Sequence, residues 1–237
     1  KAGYALQIDE NGYANDAARG LSEDTVLPDL AFTNRFTYDQ TIHQLYGTYE
    51  RPFGDLTVLA GLRLESVEID INQITTNIQA TNDHTEAYPS LHLSYQLDGG
   101  ERLTASYSRR VQRPNANDLN PFVFYIDPFN YRRGNPELKP QITDSFEAAW
   151  QKRGGGTLYI GTLFYRVAHD QVIDVVENLG GGVLLTTREN AGQVRTAGLE
   201  LVANGRLTKS VTYNLNTTLG WQELDAGDLG FAEKRDG

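Results

Sequence analysis

Apolar and polar residues alternate one by one over most of this chain, which is the pattern of β-strands with one apolar and one polar face. The clearest alternating run follows Gly54, where every second residue is apolar: Leu56, Val58, Ala60, Leu62 and Leu64. The intervening positions include Thr57, Arg63 and Glu65. The pattern therefore predicts an all-β chain of antiparallel strands, each of which separates two different environments.

The alternating segments predict strands that pair into hairpins. They cover residues 38–51, 56–71, 91–97, 101–113, 141–153, 158–177, 183–205 and 211–224. The first segment alternates irregularly around Asp39 and Gln40, which a β-bulge would explain. In the segment at 158–177, we expect Leu158, Ile160 and Phe164 on the apolar face. About eight strands in four hairpins follow, because the glycines between paired segments permit the positive φ of tight turns.

The connections between these strands alternate between short and long. The short turns lie near Phe53, Gly99, Gly155 and Leu207. Residues 1–37 are predicted to be a loop region with at most a frayed strand, residues 38–224 to contain the hairpins, and residues 225–237 to begin another loop. Such asymmetry is typical of an outer-membrane β-barrel with long extracellular loops and short periplasmic turns. Both chain ends are then expected on the extracellular side.

Strand length and aromatic placement favour a membrane barrel over a soluble β-sandwich. Most of the predicted strands have about 13 residues or more, whereas soluble strands cluster near about 5–6 residues. Aromatic residues lie near the strand ends: Tyr95, Trp150, Tyr159, Tyr213 and Trp221. Tyr213 and Trp221 share a face, and the strand between them would rise on the order of 20 Å through a bilayer, close to the height of an apolar band. Alternation alone leaves a soluble sandwich open as the alternative.

Two passages of the sequence resemble a known family. The first contains SRRVQRP at 108–114, Asp118-Leu119-Asn120-Pro121, GNPELKP at 134–140, and Glu147 in the returning strand; the second is NAGQVRTAGLELVANGRLT at 190–208. These motifs resemble those of the late barrel strands of TonB-dependent receptors, and most of all those of the branch called outer membrane β-barrel family proteins. The resemblance is specific in these two passages and is carried elsewhere by the strand pattern alone.

The resemblance implies an antiparallel up-and-down transmembrane β-barrel of 22 strands around an N-terminal plug, with about eight of the strands in this chain. We find no plug candidate in the sequence, so the chain is expected to be a late-middle barrel segment. The implied function is capture and import of an iron-siderophore, a glycan or a similar substrate across the Gram-negative outer membrane. The implied partners are outer-membrane lipid, the substrate, and the TonB complex, reached through an N-terminal region.

The composition of the chain restricts its possible partners and the way in which it could cross a membrane. The 237 residues carry a formal charge of −10, which argues against nucleic acid as a partner, since nucleic-acid recognition requires a basic face. The chain has no Cys and no Met, so neither a disulfide framework nor a thiolate metal site is available. No apolar run approaches the about 20 residues of a membrane-spanning helix. Any membrane crossing must therefore use strands.

The long loop near the centre of the chain is the candidate ligand site. It collects cationic and aromatic residues, of which we select Tyr125, Phe129, Tyr131, Arg132 and Arg133. Guanidinium groups bind carboxylates or phosphates in a bidentate manner, and aromatic rings stack on sugars or aromatic chelators. The simpler alternative is that the nearby arginines, including Arg109, Arg110 and Arg113, pair with Asp118, Asp127 and Glu137 while the rings pack the loop.

Other clusters of polar residues are weaker candidates for a functional site. His92 and Ser94 share the polar face of one strand and resemble the His-x-Ser pair of outer-membrane phospholipases, but nothing else of that family is present, so no catalytic residue is predicted. Glu68 with Asp70, and Asp225 with Asp228 and Glu233, lack the spacing of a calcium loop and predict solvated charges. We expect no cofactor and no enzymatic activity. A smaller closed barrel or a soluble adhesin remains the alternative function.

Overall fold

A computed structural model describes residues 1–20, 27–208, 210–225 and 235–236. The strands are β1 (Ala2–Asn15), β2 (Ala18–Arg19), β3 (Leu27–Pro28), β4 (Asn34–Phe53), β5 (Leu56–Gln73), β6 (Ile78–Thr81), β7 (His84–Gln96), β8 (Glu101–Gln112), β9 (Val123–Asp127), β10 (Asn130–Arg133), β11 (Gln141–Gly154), β12 (Thr157–His169), β13 (Val172–Gly180), β14 (Val183–Asn190), β15 (Gln193–Arg206), β16 (Thr212–Asp225) and β17 (Arg235–Asp236). One short helix, α1 (Ala116–Leu119), and a 3₁₀ turn at Asp98–Gly100 complete the elements.

The long strands form one antiparallel meander. Its order is β1-β4-β5-β7-β8-β11-β12-β15-β16-β17, with β6 paired to β5. Strands that are neighbours in the sheet follow one another along the chain, apart from short strands inside the long connections. Within the described residues the sheet is an open path, because its edge strands β1 and β17 do not pair with each other. No helix in the described part of the chain is long and apolar enough to cross a bilayer.

Short and long connections lie at opposite ends of the sheet, as predicted. Glycines with positive φ make the short turns, namely Gly54, Gly99, Gly100, Gly155 and Gly156. The long connections occupy residues 16–33, 74–83, 113–140 and 170–192. We call the two ends of the sheet the short-turn end and the long-loop end.

One face of the sheet, which we call the outer face, is apolar and open. Leu45 pairs with Leu64, Leu91 with Tyr107, and Leu199 with Leu219 on this face. Leu163, Leu215 and Leu219 are 61%, 63% and 63% exposed. A continuous apolar surface of this kind is typical of a face that contacts lipid or another apolar partner.

Aromatic residues border this apolar band at both ends, and Trp150, toward the short-turn end, is one that the sequence predicts. Toward the long-loop end, the ring of Phe146 lies 4.9 Å from Tyr107 and 6.5 Å from Tyr165, measured between centroids. Toward the short-turn end, the Trp150 indole nitrogen donates a hydrogen bond of 3.0 Å to Glu101. Rings with a polar atom suit the two rims of a membrane-spanning band, where one side is apolar and the other is hydrated.

The predicted faces of β12 were wrong. Trp150 pairs with Gly161 and Phe146 with Tyr165, so Leu163 and the two tyrosines of this strand lie on the outer face. Leu158, Ile160 and Phe164 lie on the opposite, inner face. Both parities of this strand carry apolar residues, so alternation could not choose between them. Gly198 makes room for the Phe164 ring, because a Cβ atom there would lie 2.4 Å from Cζ of that ring.

Apolar residues change face near the long-loop end of β4 and β5. Leu64 lies on the outer face, whereas Val67 and Ile71 lie on the inner face, and both strands keep a continuous register. The bulge predicted at Asp39 and Gln40 is therefore wrong. The inner face carries apolar residues there because the loop at 113–140 packs on it, in a core that contains Phe36, Tyr38, Ile42, Val67, Ile69, Ile71, Leu119 and Leu138.

The prediction of a loop over residues 1–37 is corrected at Ala2–Asn15. This segment forms β1, which pairs with β4 from Ala2 opposite Gly47 to Asn15 opposite Asn34. Its first residue consequently lies toward the short-turn end, unlike the expected extracellular position. The periodicity was hidden by glycines and charged residues, and pairing with a neighbouring strand decides the structure. Most of the loop predicted at 225–237 lies outside the described residues.

Two predicted strands are shorter than expected. The segment at 158–177 breaks at Asp170, whose φ is 54°, and the segment at 183–205 breaks around Ala191 and Gly192. The pieces beyond the breaks, β13 and β14, leave the main sheet. They form a second sheet of order β13-β14-β10-β9 with the two strands of the central loop. The two long loops are thus joined by backbone hydrogen bonds above the main sheet.

Candidate functional site

The connection at 113–140, which we call the central loop, is a folded element. Its helix α1 begins with a capping box, in which the Asn115 side chain accepts hydrogen bonds from the amides of Asn117 and Asp118, and the Asp118 carboxylate accepts one from the amide of Asn115. Leu119 and Leu138 are buried in the core against β4 and β5. The loop is therefore anchored to the wall by apolar packing.

Buried amide side chains add a polar anchor. The Gln73 side chain, which is 0% exposed, donates hydrogen bonds of 2.7 Å to Asn34 and 2.9 Å to Asn120. The same Asn120 oxygen accepts a bond of 3.1 Å from the amide of Phe122. Hydrogen bonds between buried side chains favour a single arrangement, although Nδ2 of Asn34 has no partner among the described residues. This arrangement fixes the Asp-Leu-Asn-Pro passage on β5.

The Gly-Asn-Pro passage packs against α1. The Gly134 amide donates a hydrogen bond of 2.9 Å to the Asn120 carbonyl, and the Asn135 amide donates one of 2.7 Å to the Asp118 carbonyl. A Cβ atom at position 134 would lie 2.6–2.8 Å from three backbone carbonyl oxygens, those of Asn117, Asp118 and Asn120. Glycine is required here by the close approach of two backbone segments.

A buried carboxylate links the loop base to the wall. Glu65 is 2% exposed and forms ion pairs with Arg63 and Arg113. The Arg63 Nε atom lies 2.9 Å from Glu65 Oε1 but lacks the angle of a hydrogen bond, and the guanidinium also lies 5.0 Å from the centroid of the Tyr88 ring. Arg113 comes from the start of the central loop, so this carboxylate joins the loop to β5.

A second ion pair joins the two long loops. Arg188 of β14 lies 2.5 Å from Asp118 and 3.1 Å from Asp174. The Asn190 side chain accepts a hydrogen bond of 2.8 Å from the Lys139 amide and donates one of 3.0 Å to the Lys139 carbonyl. Side chains and the shared sheet therefore make the central loop and the β13–β14 hairpin one unit.

The ion pairs predicted within the central loop are wrong in their partners. Asp118 pairs with Arg188 of the other loop, Arg113 with Glu65, and Arg109 with Asp144 at 3.1 Å. Arg109 lies on the outer face, because it is opposite Asp144 in the ladder that continues through Phe146. These partners come from strands distant in the sequence, so spacing could not identify them.

The five candidate ligand residues lie in the β9–β10 hairpin but do not share one face. Tyr131 pairs with Tyr125, their centroids lie 5.7 Å apart, and Arg133 lies on the same face. Arg132 lies on the opposite face, opposite Phe124. Phe129 is in the turn and is 58% exposed. The hairpin thus presents aromatic and cationic groups on both faces and at the turn.

Asp127 stabilises the turn of this hairpin. Its carboxylate accepts hydrogen bonds of 2.9 Å from the Phe129 amide and from the Asn130 side chain. These donors, the Phe129 amide first, hold the pKa of the Asp127 carboxyl below its ordinary value. Asp127 is therefore occupied within the turn and leaves the hairpin arginines without it as a counter-ion.

The inner face carries a groove that sequence reasoning missed. Residues with small side chains lie directly opposite one another on five neighbouring strands, in the order Thr48, Gly61, Ser90, Ser108 and Ser145. Cavities of about 440 Å³ and about 500 Å³ lie along this row and share Ser108 and Arg110 in their linings. The signal in the sequence was the run of serines on the polar parity, which acquires meaning only when the strands are in register.

The remaining candidates do not form reactive clusters. His92 and Ser94 lie on the inner face, opposite Ser106 and Thr104, with no hydrogen bond between them in the described residues. Glu68 and Asp70 are exposed on the outer face beyond the apolar band. Asp228 and Glu233 lie outside the described residues. No group of three or more metal-ligating side chains with suitable geometry occurs in the described part.

Comparison with protein families identifies one match. A model described as "Outer membrane protein beta-barrel family" matches residues 1–233. No curated protein sequence matches the chain. The family match covers both the strands of the main sheet and the folded long loops between them.

Solved structures share the fold at low sequence identity. The copper transporter OprC has a TM-score of 0.70 at 14% identity, covering 95% of this chain and 36% of that one. The FrpB iron transporter from Neisseria meningitidis has a TM-score of 0.59 at 15% identity, covering 94% and 37%. The siderophore receptor PirA from Pseudomonas aeruginosa has a TM-score of 0.55 at 14% identity, covering 95% and 54%. The chain spans about a third to a half of the length of these structures.

Proposed function

The chain belongs to the outer membrane protein beta-barrel family, and from this membership we propose that it forms part of the wall of a TonB-dependent receptor that imports a small substrate. The family places the chain in the outer membrane, and its antiparallel sheet is a segment of a transmembrane β-barrel. Beyond the family membership, we propose the substrate class and the coupling to TonB.

The observation that carries the proposal is the division of the sheet into two different faces. The outer face presents an apolar band with aromatic rims, which suits lipid. The inner face presents serine, threonine and arginine side chains, and folded loops are anchored over its long-loop end. A wall with lipid on one side and a polar passage on the other fits transport, and no step of the proposed function requires chemistry on the substrate.

The proposed substrate is an iron-siderophore, a glycan or a similar small molecule. Structures with this fold include transporters of copper and iron and a siderophore receptor. The resemblance of the two sequence passages to TonB-dependent receptors supports energised uptake. We propose that the long loops are extracellular and that the β9–β10 hairpin, with Tyr125, Phe129, Tyr131, Arg132 and Arg133, contacts the substrate first.

Energy dependence is the test of this function. The complete protein is expressed in a Gram-negative host that lacks its own siderophore receptors, and uptake of radiolabelled iron bound to catecholate and hydroxamate siderophores, and of copper(II), is measured. We expect uptake of at least one probe above the empty host, and loss of that uptake when the host's TonB protein is absent. Uptake that persists without TonB would show a passive pore and contradict the proposal.

Replacing the two hairpin arginines is expected to weaken substrate binding. In the Arg132→Ala, Arg133→Ala double variant, an anionic substrate loses charge-assisted hydrogen bonds, and its apparent affinity in the uptake assay should fall about 10- to 100-fold. Arg153→Ala, on β11 near the short-turn end, is the matched control and should be neutral. Unchanged affinity in the double variant would show that these arginines do not bind the substrate and that the hairpin only packs the loop.

A further inference from the structure

A histidine lies in the layer where the central loop contacts the wall. His84 is the first residue of β7 and is directly opposite Val67 of β5, which belongs to the core against which the loop packs. Two residues earlier, the Asn82 side chain donates a hydrogen bond of 3.2 Å to the carbonyl of Leu138, near the end of the loop. The end of the central loop is therefore held next to this histidine.

The start of the central loop is held close to the same histidine. Arg113, the first residue of the loop, pairs with the buried carboxylate of Glu65. Glu65 is directly opposite Glu86 of β7, which lies two residues from His84 and on the same face of the strand. The charge of Arg113 also acts on the His84 ring. Both attachments of the loop thus lie around one titratable side chain.

The His84 ring is buried without a partner. Its Nδ1 and Nε2 atoms are both inaccessible to solvent, and neither has a hydrogen-bond partner in the part of the chain that the structure describes. Residues of this chain cover both atoms, so a segment elsewhere in the barrel cannot reach them while the loop is in place. The two oxygens of Glu65 are already paired with Arg63 and Arg113. Protonation would therefore bury a further N–H group, now charged, without an acceptor.

The charges around His84 act in both directions. His84 lies beyond the apolar band, because the outer face beside it carries the hydrogen-bonded hydroxyls of Ser66 and Thr85. Burial, followed by the positive charge of Arg113, lowers the pKa of His84 below its ordinary value of 6.5. Weaker opposing effects come from the carboxylates Glu86, Glu65 and Asp83. The other ionisable groups around the Glu65 ion pairs are Tyr38 of β4, Arg63 of β5, Tyr88 of β7 and Arg110 of β8.

We propose that His84 is an acid-sensitive switch, which keeps the central loop on the wall while its ring is neutral and releases the loop when the ring is protonated. The switch does not rest on the proposed function, since it concerns only the attachment of the loop. A histidine whose pKa is lowered in the closed state takes up its proton more readily once the loop opens. Attachment is therefore complete above the ordinary histidine pKa of about 6.5 and is lost progressively as the pH falls below that value.

Hydrogen exchange of the complete protein in detergent, followed by mass spectrometry, tests the switch at about pH 7.5 and about pH 5.5. Labelling times are scaled for the intrinsic pH dependence of amide exchange, so that protection is compared directly. We expect the protection of residues 113–140 to fall about 3- to 10-fold between these two conditions, because opening takes up one proton. Protection of the main-sheet strand β11 should not change.

Two variants remove the titrating group. His84→Phe keeps an aromatic ring that cannot be protonated, and His84→Gln keeps a neutral polar side chain if the phenyl ring prevents folding. In each folded variant, judged by the shift of a folded barrel on an unheated gel, protection of the loop should be the same at both pH values. The matched control is His92→Gln, since His92 is exposed on the same face of the same strand and should leave the pH dependence intact.

Two results would overturn the switch. One is loop protection that does not change with pH in the unchanged protein. The other is an equal fall in protection in the His84 variants, which would assign the pH dependence to the carboxylates around the loop base. Both results are read from the loop alone, so they are distinguishable from a failure of TonB-dependent uptake.

Discussion

Gly134→Ala should release the central loop from the wall while the barrel strands remain folded. The added Cβ atom would lie 2.6–2.8 Å from three backbone carbonyl oxygens, none of which belongs to a flexible side chain. The loop must therefore separate from α1 and lose the hydrogen bonds from the Gly134 and Asn135 amides. Overpacking and the two lost bonds together cost about 3 kcal/mol. That free energy corresponds to an about 100-fold increase in local opening.

Hydrogen exchange followed by mass spectrometry measures this effect. Peptides from residues 113–140 should exchange about 100-fold faster in the variant, whereas peptides from β5 near Leu62 and from β11 should not change. Gly12→Ala is the matched control, since a Cβ atom there has nothing within 4 Å. Native protection of the loop in Gly134→Ala would show that the glycine and α1 are not in contact, and would contradict the folded loop.

Glu65→Ala should have an effect of similar or greater size at the base of the same loop. Removing this carboxylate leaves Arg113 largely buried, at 19% side-chain exposure, without its counter-ion. Breaking a buried ion pair by removing one partner typically costs about 3–5 kcal/mol, because the remaining charge is desolvated and unpaired. We expect faster exchange in the central loop and cleavage by trypsin after Arg113, measured by limited proteolysis in detergent.

The control for this variant is Glu68→Ala, which removes a carboxylate from the same strand on the exposed outer face. It should change neither exchange nor cleavage, since exposed charges contribute little to stability. A second variant, Glu65→Ala with Arg113→Leu, removes the buried Glu65–Arg113 pair and leaves unpaired only Arg63, whose side chain is 43% exposed, so it should recover part of the loss. If the single variant resists trypsin as the unchanged protein does, the Glu65 ion pairs do not anchor the loop.

Sequence reasoning predicted the sheet and its polarity because these follow from local pattern. The alternation at Leu56–Leu64 and the glycines of the short turns each depend on a few consecutive residues. The same reasoning failed where two faces are equally apolar, as in β12, and where apolar residues change sides without a bulge, as between Leu64 and Val67. In both cases the deciding partner is a strand or loop distant in the sequence.

The candidate site was predicted only in part for the same reason. The composition of the central loop pointed to Arg132 and Arg133, and the structure leaves both on an exposed hairpin. The composition did not reveal that Asp118 pairs with Arg188, or that Arg110 lies in a groove lined by serines of several strands. Ion pairs and cavities are formed by residues that only strand register and loop packing bring together.

The amino-acid sequence by itself determined an all-β meander with an apolar face, short turns at one end and long loops at the other, because period-two alternation and turn-forming glycines act over neighbouring residues. Only the tertiary structure decided that β1 extends the sheet, that the long loops fold into a second sheet, and which arginines are neutralised. Those outcomes depend on burial and on charge pairing between segments far apart in the chain, where the free energy of a contact exists only after the sheet has formed.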